Sequence, residues 1–293
     1  MNLFVYGTLL EGMDRHEALA GAQRLGPALV RGDLLDLGDY TGLVEGDGFV
    51  IGEIYQVDPT DLVPLDELEG FHPGDPGNSL YLREDLKARR FADGVTIQAS
   101  TYIFNRATGV EEKISSGDFR RHYAEKHKGP LRVIAYGSNL STERLAKRLS
   151  WRNAKSIAQR SGTALTGYLN GFRLTFNKTP QDHRSPCANI EFVGGESRCP
   201  AVAWHLTVEE IKILDDCEGA SGNKGSIHYY RVGLPFQTKD TTLLCQAYLA
   251  NPDWLQDPAP PDPKYLEYLR KGYQEHGLDL KYLDEALLRA TLR

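Results

Sequence analysis

Two glutamates stand at the ends of closely similar phrases, Leu65-Asp66-Glu67-Leu68-Glu69-Gly70 and Leu214-Asp215-Asp216-Cys217-Glu218-Gly219. Glu69 follows Leu65 by four residues and Leu62 by seven; Glu218 follows Leu214 and Ile211 in the same way. On a helix these spacings share one face. Both glutamates therefore continue an apolar stripe, while Glu67 and Asp216 point away from it. A carboxylate on a core-facing stripe is partly desolvated, which raises its pKa toward the range of a general base. A lone glutamate beside glycine would read as a solvated helix end. Two at matched positions point to proton transfer. The neighbouring acids Asp66, Glu67, Asp215 and Asp216 are expected to be solvated or bonded to nearby backbone. With no histidine or third acid at a supporting spacing, no metal is expected.

The second chemical element is a turn. Val5-Tyr6-Gly7-Thr8-Leu9 recurs as Ala135-Tyr136-Gly137-Ser138-Asn139-Leu140. Glycine after an apolar strand lets the chain bend sharply, so that successive N–H groups converge on an oxygen. The Thr8 or Ser138 hydroxyl and the Asn139 amide add polar contacts. Such a nest could bind a carboxylate or an oxyanion. It is not a P-loop, for no Gly-Lys-Ser/Thr follows. Ser138 lies outside a Gly-x-Ser-x-Gly elbow and is not read as a nucleophile. His122, His127, His183 and His228 form no metal set, and Cys217 beside Glu218 has no evident role.

Each turn is linked, in the same order, to its glutamate phrase and then to a strand signal, Tyr81-Leu82-Arg83 or Tyr229-Tyr230-Arg231. Tyr81 and Tyr229 are further pocket candidates. Linked phrases in one order indicate an internal duplication.

The elements that must position these residues are short. Strands are expected at 3–6, 28–35, 49–57, 80–87 and 95–104, with Gly-Asp, Asp-Gly and Gly-Asp-Gly as tight turns. Asp58 or Thr60 could cap a helix that carries Leu62, Leu65 and Glu69, with Pro59 tolerated early. Residues 120–130, polar and ending in Lys128-Gly129-Pro130, read as the connection between units, and proteolysis is expected there first. A second strand at 131–136 precedes a helix opened by Ser141-Thr142-Glu143. Strands follow at 161–176, 188–193 and 200–206. Thr207 and Glu210 then form a capping box, and helices near 263–276 and 280–292 finish the chain. Strands and short helices without a βαβ rhythm predict an α+β fold, with a sheet or barrel-like core in each unit.

Bulk properties fit this reading. A chain of 293 residues accommodates two domains with separate cores. The formal charge of -6 leaves no footprint for nucleic acid or an anionic membrane. No apolar run reaches spanning length, and the N-terminus reads as a strand rather than a signal peptide. The four cysteines show no Cys-x-x-Cys spacing, and reduced thiols in a cytoplasm are the expectation.

Together these phrases resemble the gamma-glutamylcyclotransferase-like superfamily. Its members pair a Tyr-Gly-Ser/Thr-Asn/Leu turn with a Leu-Asp-x-x-Glu-Gly glutamate and a Tyr-x-Arg strand. Residues 1–125 look like its AIG2-like branch, which includes gamma-glutamylamine cyclotransferases. Ile114-Ser115-Ser116-Gly117-Asp118-Phe119-Arg120 is similar to that branch's closing phrase. Residues 130–293 look like the gamma-glutamylcyclotransferase branch, through Phe176-Asn177-Lys178, Ala188-Asn189-Ile190, Ala203-Trp204-His205-Leu206 and the tail around Tyr265 and His276-Gly277-Leu278. The resemblance implies two tandem α+β domains, each a mixed barrel-like sheet with flanking short helices. It places Glu69 and Glu218 on the catalytic glutamate, and residues 6–9 and 136–140 on the substrate loop. The implied reaction releases 5-oxoproline and an amine or amino acid from a small gamma-glutamyl substrate, without a cofactor. Glu218 is expected to matter more, since the second unit carries the fuller set of phrases. The long loops 71–80 and 220–228 are expected to flank the sites and to alter substrate choice. Packing of the two domains on each other is the one macromolecular contact this reading allows. Two other readings stay open: a noncatalytic module that binds an acidic metabolite or a partner, and a gamma-glutamyl amide hydrolase.

Overall fold

The computed structural model describes residues 1–127, 130–150, 162–180, 184–222 and 226–292. His183, Lys128-Gly129 and the start of the 161–176 strand lie outside the described residues. The chain divides into two compact units, Met1–Tyr123 and Ala124–Arg293.

In the first unit, β1 (Asn2–Val5) pairs antiparallel with β3 (Thr41–Gln56) and parallel with β5 (Thr96–Phe104). β2 (Gln23–Asp36) joins β3 to β4 (Tyr81–Arg90), and β4 pairs with β5, so the ring closes on itself. A short β6 (Glu112–Lys113) adds to the far end of β2. Phe4, Ala28, Val50 and Ile54 share one buried face, as alternation along closed strands requires, and Leu3 is buried on the other. The α1 helix (Leu62–Leu68) lies across one end and buries Leu62 and Leu65. Asp58, rather than Thr60, provides the cap that opens this segment.

The second unit repeats the plan. β7 (Arg132–Ala135) pairs antiparallel with β11 (Arg198–His205) and parallel with β13 (Thr242–Ala250). β8 (Leu165–Asn170) and β12 (Tyr229–Gln237) complete a closed barrel in the order β11-β7-β13-β12-β8. Each β7 pairing has the same sense as its β1 counterpart. A separate hairpin of β9 (Phe172–Lys178) and β10 (Cys187–Phe192) stands where the first unit extends β2 and β3. After α2 (Phe119–Lys126), the α-helices among the described residues are α3 (Thr142–Arg148), α4 (Val208–Glu218), α5 (Pro263–Glu275) and α6 (Lys281–Thr291). Thr207 and Glu210 close the expected capping box on α4, and Ser141 caps α3.

One local expectation fails. Gly46-Asp47-Gly48 does not end a strand: residues 45–48 bulge out of β3 opposite Gly32, and pairing resumes at Arg31 and Phe49. The ladder on either side holds the strand together, so the extra residues loop out. Within the expected connection, residues 119–126 form the α2 helix, and Arg120 is 1% exposed. Its guanidinium is neutralised by Glu53, itself fully buried, at 2.8 Å.

Candidate active sites

Each glutamate closes its helix. Gly70 (φ 60°) and Gly219 (φ 67°) follow in the left-handed conformation. There a side chain would be strained, and glycine stops the helix one residue past the carboxylate. That is the physical content of the repeated Glu-Gly. Leu65 and Leu214 are buried below them, so the stripe delivers Glu69 and Glu218, both half-buried, to the mouth of a barrel.

The first cavity, of about 170 Å³, is lined by Tyr6, Gly7, Thr8 and Leu9 together with Glu69 and Tyr81. Burial pushes the Glu69 carboxyl up to about 7, against a smaller opposing pull from the Arg15 guanidinium. Its side chain has no hydrogen-bond or ion-pair partner among the described residues. Thr41, 3% exposed, also lines this cavity, and its hydroxyl has no partner there.

The second cavity, of about 390 Å³, is lined by Tyr136, Gly137, Ser138 and Asn139 together with Glu218 and Tyr229. Leu140 is buried behind the turn and does not line it. Here the carboxylate is engaged. Glu218 accepts from Asn139 Nδ2 at 2.9 Å and from the Arg148 guanidinium, which also donates to Asn139 Oδ1 at 2.9 Å. Ser138 Oγ accepts from Arg144 at 3.0 Å, and the Trp204 indole donates to the Asn139 carbonyl at 3.2 Å. Cys217 is exposed at the rim; all four cysteines are free thiols.

Behind both sites runs the same set of hydrogen bonds. Tyr6 donates its hydroxyl to the Tyr102 carbonyl at 2.5 Å, and Tyr102 in turn donates to Asp66 at 2.9 Å. Tyr136 donates to the Tyr248 carbonyl, and Tyr248 to Asp215 at 2.7 Å. Burial raises the Tyr6 and Tyr136 hydroxyls well above their ordinary pKa, so they remain donors. Arg83 clamps Asp66 at 2.8 and 2.9 Å, and Arg231 clamps Asp215 at 2.8 and 3.0 Å. The expectation that these aspartates are solvated or bonded to backbone is therefore corrected. Each is the carboxylate partner of the arginine in its own Tyr-x-Arg phrase, since a half-buried guanidinium needs a counter-charge. Tyr81 and Tyr229 donate to the Thr41 and Ala188 carbonyls at 2.6 and 3.0 Å. The recurring arginine was the sequence signal for this pairing. Arg15, Thr41 and Arg148 had none, because they reach the cavities from segments outside the repeated phrases, and Lys178 stood in the Phe176-Asn177-Lys178 phrase without a role assigned to it.

Among the described residues, no group of three or more His, Cys, Asp or Glu side chains could hold a metal ion, and no helix is long and apolar enough to cross a membrane.

Residues 3–121 match the family model described as "Gamma-glutamyl cyclotransferase, AIG2-like". The gamma-L-glutamyl-butirosin B gamma-glutamyl cyclotransferase of Niallia circulans is 38% identical over 117 residues, 39% of this chain and 73% of that protein. The chain belongs to the gamma-glutamyl cyclotransferase, AIG2-like family. It is an enzyme of that family by this kinship. Human gamma-glutamylcyclotransferase is 28% identical over 156 residues, which are 52% of this chain and 74% of its own length. The crystal structure of YkqA from Bacillus subtilis shares the fold across the whole chain. Its TM-score is 0.73 at 22% identity, and the match covers 98% of this chain and 97% of that one.

Proposed function

We propose that the chain is a tandem cyclotransferase, residues 1–125 forming the AIG2-like domain and 130–293 the gamma-glutamylcyclotransferase-like domain. Each releases 5-oxoproline from a small gamma-glutamyl amide. The observation that carries this reading is the Glu69 carboxyl, raised to about 7 by burial and facing the Tyr6–Leu9 turn across one cavity. An acid with that pKa both accepts and returns a proton near neutrality.

In this mechanism Glu69, or Glu218 in the second unit, takes one proton from the substrate α-ammonium. The freed amine attacks the γ-carbonyl carbon, and the carbonyl oxygen becomes an oxyanion. Backbone N–H groups of the turn meet that oxyanion, where preorganised donors are most effective. Collapse breaks the bond to the leaving nitrogen, which receives the proton held by the glutamate; the ring nitrogen sheds its second proton through the same carboxylate to that amine, which departs as an ammonium. Products are 5-oxoproline and the free amine. Closure of a five-membered ring is intramolecular, and its proximity advantage removes the need for a cofactor. Tyr6 and Tyr136, tied to the wall by their hydroxyls, hold the turn in place. The four free thiols suit a reducing compartment such as the cytoplasm.

Product analysis over a panel of gamma-glutamyl amines and peptides tests the reading. It requires 5-oxoproline. Free glutamate in its place would mean hydrolysis, and no product from any of the panel would leave a binding role. The double variant Glu69→Gln/Glu218→Gln is expected to abolish turnover while the fold remains.

A further inference from the structure

Lys178 ends β9 inside the second unit and is 4% exposed, yet it lines the same cavity as Glu218. A buried ammonium is ordinarily paired with a carboxylate. No carboxylate lies within ion-pair distance of Lys178 among the described residues. Its polar partner there is His228, whose Nδ1 lies 3.3 Å from Nζ. Nδ1 facing an ammonium must accept, so His228 is neutral and carries its proton on Nε2, toward Ser226 Oγ at 3.5 Å. Burial first, and Lys178 second, lower the His228 pKa and favour this state. The imidazole packs against Trp254, ring centroids 3.9 Å apart and planes inclined by 33°, and Nζ also lies 5.0 Å from the Tyr229 ring. An ammonium has three donors and His228 takes one. The cavity wall therefore presents a fixed, desolvated cation with N–H groups to spare.

The first cavity has no counterpart. Among the described residues its one lining cation is Arg15, which is exposed, and its remaining walls include Phe4, Leu9, Leu68 and Leu80. The two cavities share the turn, the tyrosines and the glutamate. Shared machinery suits the part of the substrate that every gamma-glutamyl amide has in common. A buried lysine present in one cavity alone suits the part that varies, which is the leaving amine.

We propose that Lys178 is a specificity-determining residue of the second site, binding a carboxylate carried by the leaving amine. The assignment rests on the cyclotransferase reading above. Electrostatically, a carboxylate entering the cavity replaces water around a cation already stripped of most of its own, so no further desolvation of the lysine opposes binding.

The test uses the full chain with Glu69→Gln to silence the first site. Two substrates differ by the carboxylate alone: gamma-glutamyl-alanine and gamma-glutamyl-ethylamine. Formation of 5-oxoproline gives kcat/KM for each. Lys178→Met keeps the stem and removes the charge. It is expected to lower the ratio of kcat/KM for the alanine over the ethylamine substrate by about 30-fold or more, mainly through KM. Turnover of both substrates with a ratio unchanged by the substitution overturns the assignment alone. Absence of 5-oxoproline from both overturns the cyclotransferase reading and the assignment with it. Should Lys178→Met fail to fold, product inhibition with Lys178 in place decides. Alanine is expected to compete with substrate at concentrations where ethylamine does not, and equal inhibition by the two overturns the proposal.

Discussion

Glu218 shares its Oε1 between the guanidinium of Arg148 and the side-chain amide of Asn139, whereas the Glu69 side chain has neither kind of partner among the described residues. One family motif thus supports two electrostatic designs. In the second unit the carboxylate is pinned in one orientation by a half-buried ion pair, with Arg148 20% and Glu218 16% exposed.

Removing the pin should misplace the proton carrier. Arg148→Met, measured in a Glu69→Gln background, is expected to lower kcat/KM by about 10- to 100-fold, because a small displacement of a reacting group costs rates of that order. Asn139 keeps one hydrogen bond to the carboxylate, so residual activity should exceed that of Glu218→Gln. Activity in Arg148→Met equal to its parent would show that the pair is incidental.

The first site should titrate near neutrality. A general base works only when deprotonated, and Glu69 gains its proton at about 7. With Glu218→Gln silencing the second unit, kcat/KM should rise tenfold per pH unit below that value and level off above it. A flat profile from pH 5 to 8 would be incompatible with Glu69 as the base.

The same displaced pKa has a stability consequence of definite sign. The carboxyl ordinarily ionises at 4.5 and here at about 7. Below 4.5 the folded and unfolded chains are both protonated and there is no penalty. Between the two values only the unfolded chain releases its proton, and above 7 the folded state bears the full cost, about 3 kcal/mol as an upper bound. Glu69→Gln should therefore raise Tm at pH 8 and leave it nearly unchanged at pH 4. Thermal melts at the two pH values measure this directly.

Glu53 behaves oppositely. It is fully buried in the first unit, accepts from Arg120 at 2.8 Å, from Arg24 at 2.6 Å and from the Tyr55 hydroxyl at 2.7 Å. Burial pushes its carboxyl up, but Arg120 and Arg24 overcome that and hold it at about 2. A depressed pKa contributes stability above 4.5 that is lost as pH falls toward 2. Glu53→Gln is expected to cost about 3–5 kcal/mol at pH 7, because two arginines lose their buried counter-charge. Chemical denaturation should show that loss at pH 7 and a smaller difference between variant and parent near pH 2.

Much of this protein was local enough to be written along the chain. The Leu62, Leu65, Glu69 spacing is a property of one helix, and Gly70 marks where that helix must stop. The Thr207 and Glu210 cap, the strand before each Tyr-Gly turn and the order of the repeated phrases also depend only on near neighbours. The tertiary structure decided what lies across each cavity. Asp66 meets Arg83 over 17 residues, and Tyr102 lies 36 beyond Asp66. Arg148 comes from 70 residues before Glu218, and Lys178 from 50 before His228. Barrel closure sets those encounters. The ionisation of a carboxylate depends on which charges the fold brings within a few ångströms and how much water it removes. Glu69 and Glu218, alike in their local sequence, consequently end in different electrostatic surroundings.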